Sequence, residues 1–211
     1  MEIAQNKVPT LDLNNPQTPW GRLELLCQTS SAWTDHIVNN LNAFLIDHAA
    51  CERKASSLAM SFVVKYRDKP KIVRAMTELA IEELEHFNQV LSYLEKNNLC
   101  LGGDEPDQYV GELLKICRSS PQERLLDRLL VSGVVEARGC ERFGLIGEAL
   151  GDTELGQFYS KLSRAESKHQ LLFVQLACEY FEKSTVSKRL FDILQFESQI
   201  IAKLPIKAQL Y

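Results

Sequence analysis

Apolar side chains recur at intervals of three and four residues over long stretches of the chain, while alternating β-branched runs are few, so the pattern predicts an all-α protein. Prolines and glycines divide it. An N-terminal arm carrying Pro9, Pro16 and Pro19 leads into a short helix over WGRLELLCQ, with Thr18 as N-cap and Pro19 in the first turn. A first long helix is expected from about Trp33 or His36 to Tyr66. Pro70 opens a second through about Lys96, and LCLGGDEPD, with Gly102 and Gly103, ends it. A short helix over QYVGELLKICR follows. In SSPQE, Ser120 is the N-cap, Pro121 the first helical residue and Glu123 the far side of a capping box, so a third long helix starts there and runs to Leu150. Gly151 and Asp152 separate it from a fourth over about Thr153 to Phe181, and a last helix from about Val186 to Leu204 stops before Pro205.

Four long helices with a crossover from Asn97 to Ser120 between the second and third describe a four-helix bundle of ferritin-like connectivity, with extra short N- and C-terminal helices. The 211 residues, 45% hydrophobic and 25% charged, suit one domain spanning 1–211 with a full core. No apolar run reaches the roughly 20 residues that cross a bilayer, and the start has neither a basic nor an apolar leader region, so a cytoplasmic protein is expected. The six cysteines (27, 51, 100, 117, 140 and 178) have neither C-x-x-C nor zinc-finger spacing and read as reduced thiols. A formal net charge of −4 leaves nucleic-acid binding to a local patch rather than to the overall field.

One stretch does not fit a plain amphipathic helix. EELEHF places Glu83 and His86 three residues apart, and RAESKHQ places Glu166 and His169 at the same separation, so each pair projects from one helical face, about 60° apart. Upstream, Glu52 precedes Glu83 by almost the same interval as Glu136 precedes Glu166. The halves repeat: the steps from Glu52 to Glu136, from Glu83 to Glu166 and from His86 to His169 agree to within a single position. One helix pair thus recurs, each copy giving Glu and then Glu-x-x-His, the ligand formula of carboxylate-bridged di-iron or di-manganese bundles. Four carboxylates neutralise two divalent cations, and two neutral imidazoles leave positions open for oxygen or water. Iron is favoured for oxygen activation, with manganese as rival. Without metal, four glutamates inside a bundle are a costly cluster of like charge.

DHAACERKAS, TELAIEELEHF, EARGCERF and AESKHQ, in this order between about residues 45 and 175, together resemble the MiaE family of tRNA 2-methylthio-isopentenyl-adenosine hydroxylases. The resemblance implies a non-haem di-iron monooxygenase that uses O2 to hydroxylate the isopentenyl side chain of a hypermodified adenosine beside the anticodon of tRNA. It also implies Glu52, Glu83, His86, Glu136, Glu166 and His169 as the ligands of two iron ions, with Glu83 and Glu136 as the bridging or more mobile carboxylates. No flavin or nicotinamide fingerprint and no iron–sulfur spacing is present, so an external reductase or ferredoxin is expected to supply electrons. Two alternatives stand beside this one: iron storage or peroxide detoxification on the same scaffold, and a metal-free helical interaction protein.

Other positions have plainer expectations. His48, one turn before Glu52, is read as a polar neighbour of the ligands, and Glu82 as an acceptor that orients the imidazole of His86. Glu141 is a partner for Arg138 or Arg142, and His36 a surface or packing residue. Tyr159 is a core tyrosine, with a place facing the metals as the alternative. Ala55, Ser56, Ala59, Gly139 and Cys140 present small side chains near the cage, either as room for substrate or for close packing. Gly133, Gly139, Gly144 and Gly147 each cost the third helix roughly 1 kcal/mol against Ala, so close approach or a bulge is expected there. Lys65, Arg67, Lys69, Lys71 and Arg74 crowd one turn and offer phosphate contacts or solubility. Lys161, Arg164 and Lys168 form a solvated face.

Overall fold

The computed structural model describes residues 23–103 and 105–211. Among them the regular elements are helical: α1 (Ser31–Val38), α2 (Leu41–Lys65), α3 (Pro70–Lys96), α4 (Gln108–Leu113), α5 (Pro121–Leu150), α6 (Glu154–Glu166), α7 (His169–Tyr180) and α8 (Lys183–Ile201), with a 3-10 turn at Leu114–Ile116. α2 and α3 form a hairpin, α5 packs along α6 and α7, α3 meets α7, and α4 packs against α8. None of the described helices is long and apolar enough to cross a membrane.

Two expected helices are each broken in two. The first divides at Asn39 and Asn40, whose side-chain amides turn back to donate to the carbonyls of Asp35 and His36 at 2.8 Å each, which is how asparagine competes with a continuing helix. The fourth divides at Ser167 and Lys168, between the two members of its Glu-x-x-His pair. Both residues keep right-handed helical angles, but Ser167 donates its hydroxyl to the Arg164 carbonyl and the regular ladder lapses for one step. The last helix begins and ends about three residues earlier than expected.

The short helix expected over 20–28 is absent from its described part: residues 23–30 are extended or bent, while Thr18 and Pro19 lie outside the described residues. Tertiary partners take the backbone groups that a helix would use. Leu23 N–H donates to Gln170 Oε1, Arg138 Nη2 donates to the Cys27 carbonyl, and Thr29 N–H donates to Glu141 Oε1. The capping box at Ser120 is also not formed. Ser120 is the N-cap and Pro121 opens α5, but the Ser120 hydroxyl donates to Glu123, whose other oxygen is held by Arg118.

Two apolar clusters fill the bundle. One gathers Phe62, Met76, Leu79, Leu129, Leu130 and Phe173, and the other Trp33, Phe44, Val90, Phe143, Ile146 and Tyr159. Between them α5 runs close to its neighbours, and its glycines explain how. A Cβ on Gly147 would sit 2.9 Å from Ser160 N and 3.2 Å from Ser160 Cα, backbone atoms that cannot swing aside. Gly147→Ala is therefore expected to destabilise the fold by about 1–2 kcal/mol: overpacking of about 1–3 kcal/mol outweighs the better helix propensity. Denaturant unfolding that shows a stability gain would contradict this close approach. Among the described residues the six cysteines form no disulfide.

Candidate metal centre

Glu52 comes from α2, Glu83 and His86 from α3, Glu136 from α5, and Glu166 and His169 from either side of the α6–α7 break. All but the half-buried Glu136 are buried. They form two four-membered groups, Glu52–Glu83–His86–Glu166 and Glu83–Glu136–Glu166–His169, within each of which one donor atom per residue lies inside 4.8 Å of the others. Glu83 and Glu166 belong to both groups. The glutamates of the two Glu-x-x-His pairs thus form the shared middle, and the lone glutamates cap either side. Of the two glutamates expected to be the bridging or more mobile carboxylates, Glu83 belongs to both donor groups and Glu136 to one.

The donor atoms converge, yet several of them complete no hydrogen bond. His86 Nδ1 lies 2.7 Å from Glu166 Oε1, and His169 Nδ1 lies 2.5 Å from Glu166 Oε2 and 3.1 Å from Glu83 Oε1. Despite this crowding, His86 Nδ1, Glu83 Oε1 and Glu166 Oε1 are buried with no hydrogen-bond partner. Buried polar atoms are rarely left so; a cation on the His86 side would satisfy His86 Nδ1 and Glu166 Oε1, and one on the His169 side would satisfy Glu83 Oε1. The donor set, carboxylate oxygen with imidazole nitrogen, suits iron or manganese.

Electrostatics of the bare cage point the same way. Burial pushes the carboxyls of Glu52 and Glu136 well above their usual pKa, and the neighbouring carboxylates add to it. Burial opposes charge on both histidines, but Glu166 and Glu83 outweigh it and push His86 up to about 10 and His169 up to about 12. At neutral pH the bare cage holds protons on groups that must give them up to ligate. Metal uptake is accordingly expected to release protons and to weaken as pH falls, since protons compete for the raised imidazoles. Calorimetry in buffers of different ionisation enthalpy reads this directly, and a buffer-independent heat would contradict it.

His48 is fully buried beside the cage. Its Nε2 lies 2.5 Å from Glu52 Oε1 and its Nδ1 lies 3.0 Å from the Tyr159 hydroxyl, with Phe143 4.7 Å away between ring centroids. Burial, followed by the charge on His86, lowers its pKa to about 3, so it is a neutral imidazole. Glu82, expected to orient His86, instead lies 3.0 Å from the outer nitrogen of His169, the histidine of the facing Glu-x-x-His pair. Tyr159 is core and meets the cage through His48.

A cavity of about 210 Å³ opens against Glu52, Glu83, Glu136 and Glu166. Its walls are mainly apolar: Leu58, Val131, Val135 and Phe143, with Ala55, Gly139 and Cys140 providing width. Ser56 and Ala59, by contrast, serve packing, the first donating to the Ala80 carbonyl and the second lying in the core. Lys54 and Arg128, both half-buried, bring positive charge to the lining. Sequence reasoning missed Tyr211, whose ring stacks on Tyr109 at 5.5 Å and whose hydroxyl fills the space a Cβ on Gly139 would occupy, 2.6 Å from that position. No periodicity signals a residue so far past the end of the last helix. The strap before it is pinned where Leu210 N–H donates to Asp47 and Trp33 Nε1 donates to the Gln209 carbonyl.

The five basic residues of the α2–α3 turn are partly neutralised. Lys69 pairs with Asp68, Lys71 with Glu179, and Arg74 lies 3.8 Å from Glu78. Glu141 pairs with Arg138, and Lys161, Arg164 and Lys168 are exposed, all as expected.

Comparison with known proteins adds three findings. Residues 20–210 match the family model described as tRNA-(MS[2]IO[6]A)-hydroxylase (MiaE). Two curated relatives carry the name tRNA 2-(methylsulfanyl)-N(6)-isopentenyladenosine(37) hydroxylase. The one from Pseudomonas putida is 33% identical over 175 residues, covering 83% of this chain and 85% of the relative. The one from Salmonella typhimurium is 27% identical over 241 aligned positions, covering 90% and 88%. Among solved structures, "Protein 43 with aldehyde deformylating oxygenase activity from Synechococcus" superposes with a TM-score of 0.83 at 32% identity, over 87% of this chain and 92% of that one.

Proposed function

Because the chain belongs to the MiaE family of tRNA hydroxylases, we propose that it binds two iron ions through Glu52, Glu83, His86, Glu136, Glu166 and His169. With O2 it hydroxylates the isopentenyl side chain of 2-methylthio-isopentenyl-adenosine beside the anticodon of tRNA. The observation that carries this reading is the meeting of two overlapping four-donor groups with the floor of an apolar cavity. An iron-storage role has no use for such a cavity. One of about 210 Å³ has room for several water molecules, and so for a branched five-carbon chain.

When bound, the two iron ions supply the redox chemistry that activates O2 and places one of its oxygen atoms into a C–H bond. This chain's own residues do the rest. Four carboxylates balance the charge of two divalent ions. Leu58, Val131, Val135 and Phe143 receive the isopentenyl group and keep water from the reacting carbon. His48 keeps a neutral imidazole against Glu52, and Glu82 orients His169. The adenine enters splayed from its loop, since a base stacked within the anticodon arm would not reach the cavity floor. Electrons come from a separate reductase or ferredoxin, and the enzyme works where tRNA is, in the cytoplasm.

Lys54 and Arg128, at the cavity rather than at the α2–α3 turn, are the cations best placed to meet phosphates flanking the target base. Neutralising both as Gln is expected to weaken tRNA binding roughly tenfold at low salt and to flatten the salt dependence by about one unit per lost contact. An unchanged salt slope would move the RNA contact elsewhere. The activity itself is tested by mass spectrometry of tRNA nucleosides from cells with and without this chain. Loss of the hydroxylated adenosine, with its unhydroxylated precursor accumulating, is expected; an unchanged hydroxylated level would count against the hydroxylase.

A further inference from the structure

The duplicated halves share their ligands but not the side chains behind them. His48 stands four residues before Glu52, and the corresponding position before Glu136 in the second half is Ser132. Tyr159 stands seven residues before Glu166, and its counterpart before Glu83 in the first half is Met76. The pair that holds Glu52, His48 with Tyr159, therefore corresponds to Ser132 with Met76 behind Glu136, and those two cannot make it.

The consequence is visible in the bonding. Glu52 Oε1 lies 2.5 Å from His48 Nε2, and His48 Nδ1 lies 3.0 Å from the Tyr159 hydroxyl, in a fully buried corner walled by Phe44 and Phe143. If the phenol donates to Nδ1, the proton stands on Nε2 facing Glu52, the tautomer that an ionised, metal-binding Glu52 calls for. Glu136 is half-buried on the cavity wall, and no hydrogen bond to its carboxylate exists among the described residues. A carboxylate with a buried donor is fixed, and one without is free to change its pose.

We propose that His48 and Tyr159 are a positioning pair that locks Glu52, making the metal position it serves rigid and leaving Glu136, beside the substrate cavity, as the carboxylate that yields. This rests on the two-metal reading above and assigns unequal roles within it. Neither His48 nor Tyr159 is a ligand. The tyrosine acts through the histidine and the histidine through Glu52.

The test is titration of metal-free protein with Co(II), followed by its visible absorption. In the unsubstituted chain two ions bind, and Glu52→Ala and Glu136→Ala identify which step belongs to which glutamate. His48→Leu combined with Tyr159→Phe removes both polar partners while keeping apolar volume, so the fold survives, as a thermal melt of the metal-free variant verifies. The expected result is a roughly tenfold weaker step at the position that Glu52→Ala abolishes, the other step staying within twofold. His48→Gln, which keeps a donor within reach of Glu52, is expected to recover most of that loss. Equal weakening of both steps, weakening of the Glu136 step, or no change in either would overturn the positioning role. If the unsubstituted chain takes up no Co(II), the two-metal reading fails as well, an outcome distinct from two ions bound without sensitivity to His48.

Discussion

Glu166→Ala is expected to empty both metal positions, whereas Glu136→Ala empties one. Glu166 and Glu83 are the two residues common to both donor groups, each turning one carboxylate oxygen toward each histidine, while Glu136 serves one group. Removing a shared carboxylate also strips charge compensation from the middle of a buried cage, where two divalent cations would face each other with too few anions. Elemental analysis after iron loading is expected to give about two ions per unsubstituted chain, about one for Glu136→Ala, and close to none for Glu166→Ala. Hydroxylation should fall roughly 10³-fold or more in the Glu166 variant, beyond the 10- to 100-fold typical of losing a group that merely supports a ligand. Two ions retained by Glu166→Ala would mean that this carboxylate is not shared.

The second large effect concerns stability. Arg138→Ala is expected to cost about 3–5 kcal/mol, because it leaves Glu197 buried without its counter-charge. Both side chains are fully inaccessible, and Arg138 Nε and Nη2 lie 2.9 and 2.8 Å from Glu197 Oε1, which also accepts from Tyr109. Burial raises the pKa of the Glu197 carboxyl, and Arg138 is the largest influence opposing that rise. The same guanidinium reaches Glu141, Thr29 and the Cys27 carbonyl, so it ties α5 to α8 and to the segment before α1. At roughly 2–4 °C per kcal/mol for a chain of this size, the midpoint of metal-free protein should drop by about 10 °C or more. Arg138→Met with Glu197→Leu should recover much of the loss, since apolar replacement of a whole buried pair is often tolerated. A single variant that melts within a degree or two of the parent would show the pair to be energetically idle.

The cage was legible in the sequence because its residues are few, chemically distinctive and repeated: Glu-x-x-His on two helices and a lone Glu at nearly the same distance upstream of each. Helical periodicity carried the fold for the same reason, each long helix burying one stripe. Illegible parts depended on partners distant in the chain. Asn39 and Asn40 stop α1 by bonding back to it, which composition alone does not distinguish from a polar exposed turn of helix. The segment around Leu23 to Thr29 has helix-compatible residues, but Gln170, Arg138 and Glu141 claim its backbone. Tyr211 reaches the cavity only because a strap is pinned to α1 and α2. The place of Glu136 is likewise set by three-dimensional arrangement, since its spacing matches that of Glu52 in the repeat.

The glycines of α5 show how one helix serves both packing and chemistry. Gly147 admits the backbone of α6, whereas Gly139, one turn beyond Glu136, admits the hydroxyl of Tyr211 at the cavity. The same residue type thus fixes the distance between helices at one point and shapes the cavity at another.

The most direct test is anomalous diffraction at the iron edge from crystals of iron-loaded protein. Two peaks are expected, both in contact with Glu83 and Glu166, one flanked by Glu52 and His86 and the other by Glu136 and His169. A single peak, or iron bound away from these six side chains, would contradict the dinuclear cage from which the proposed oxygen chemistry follows.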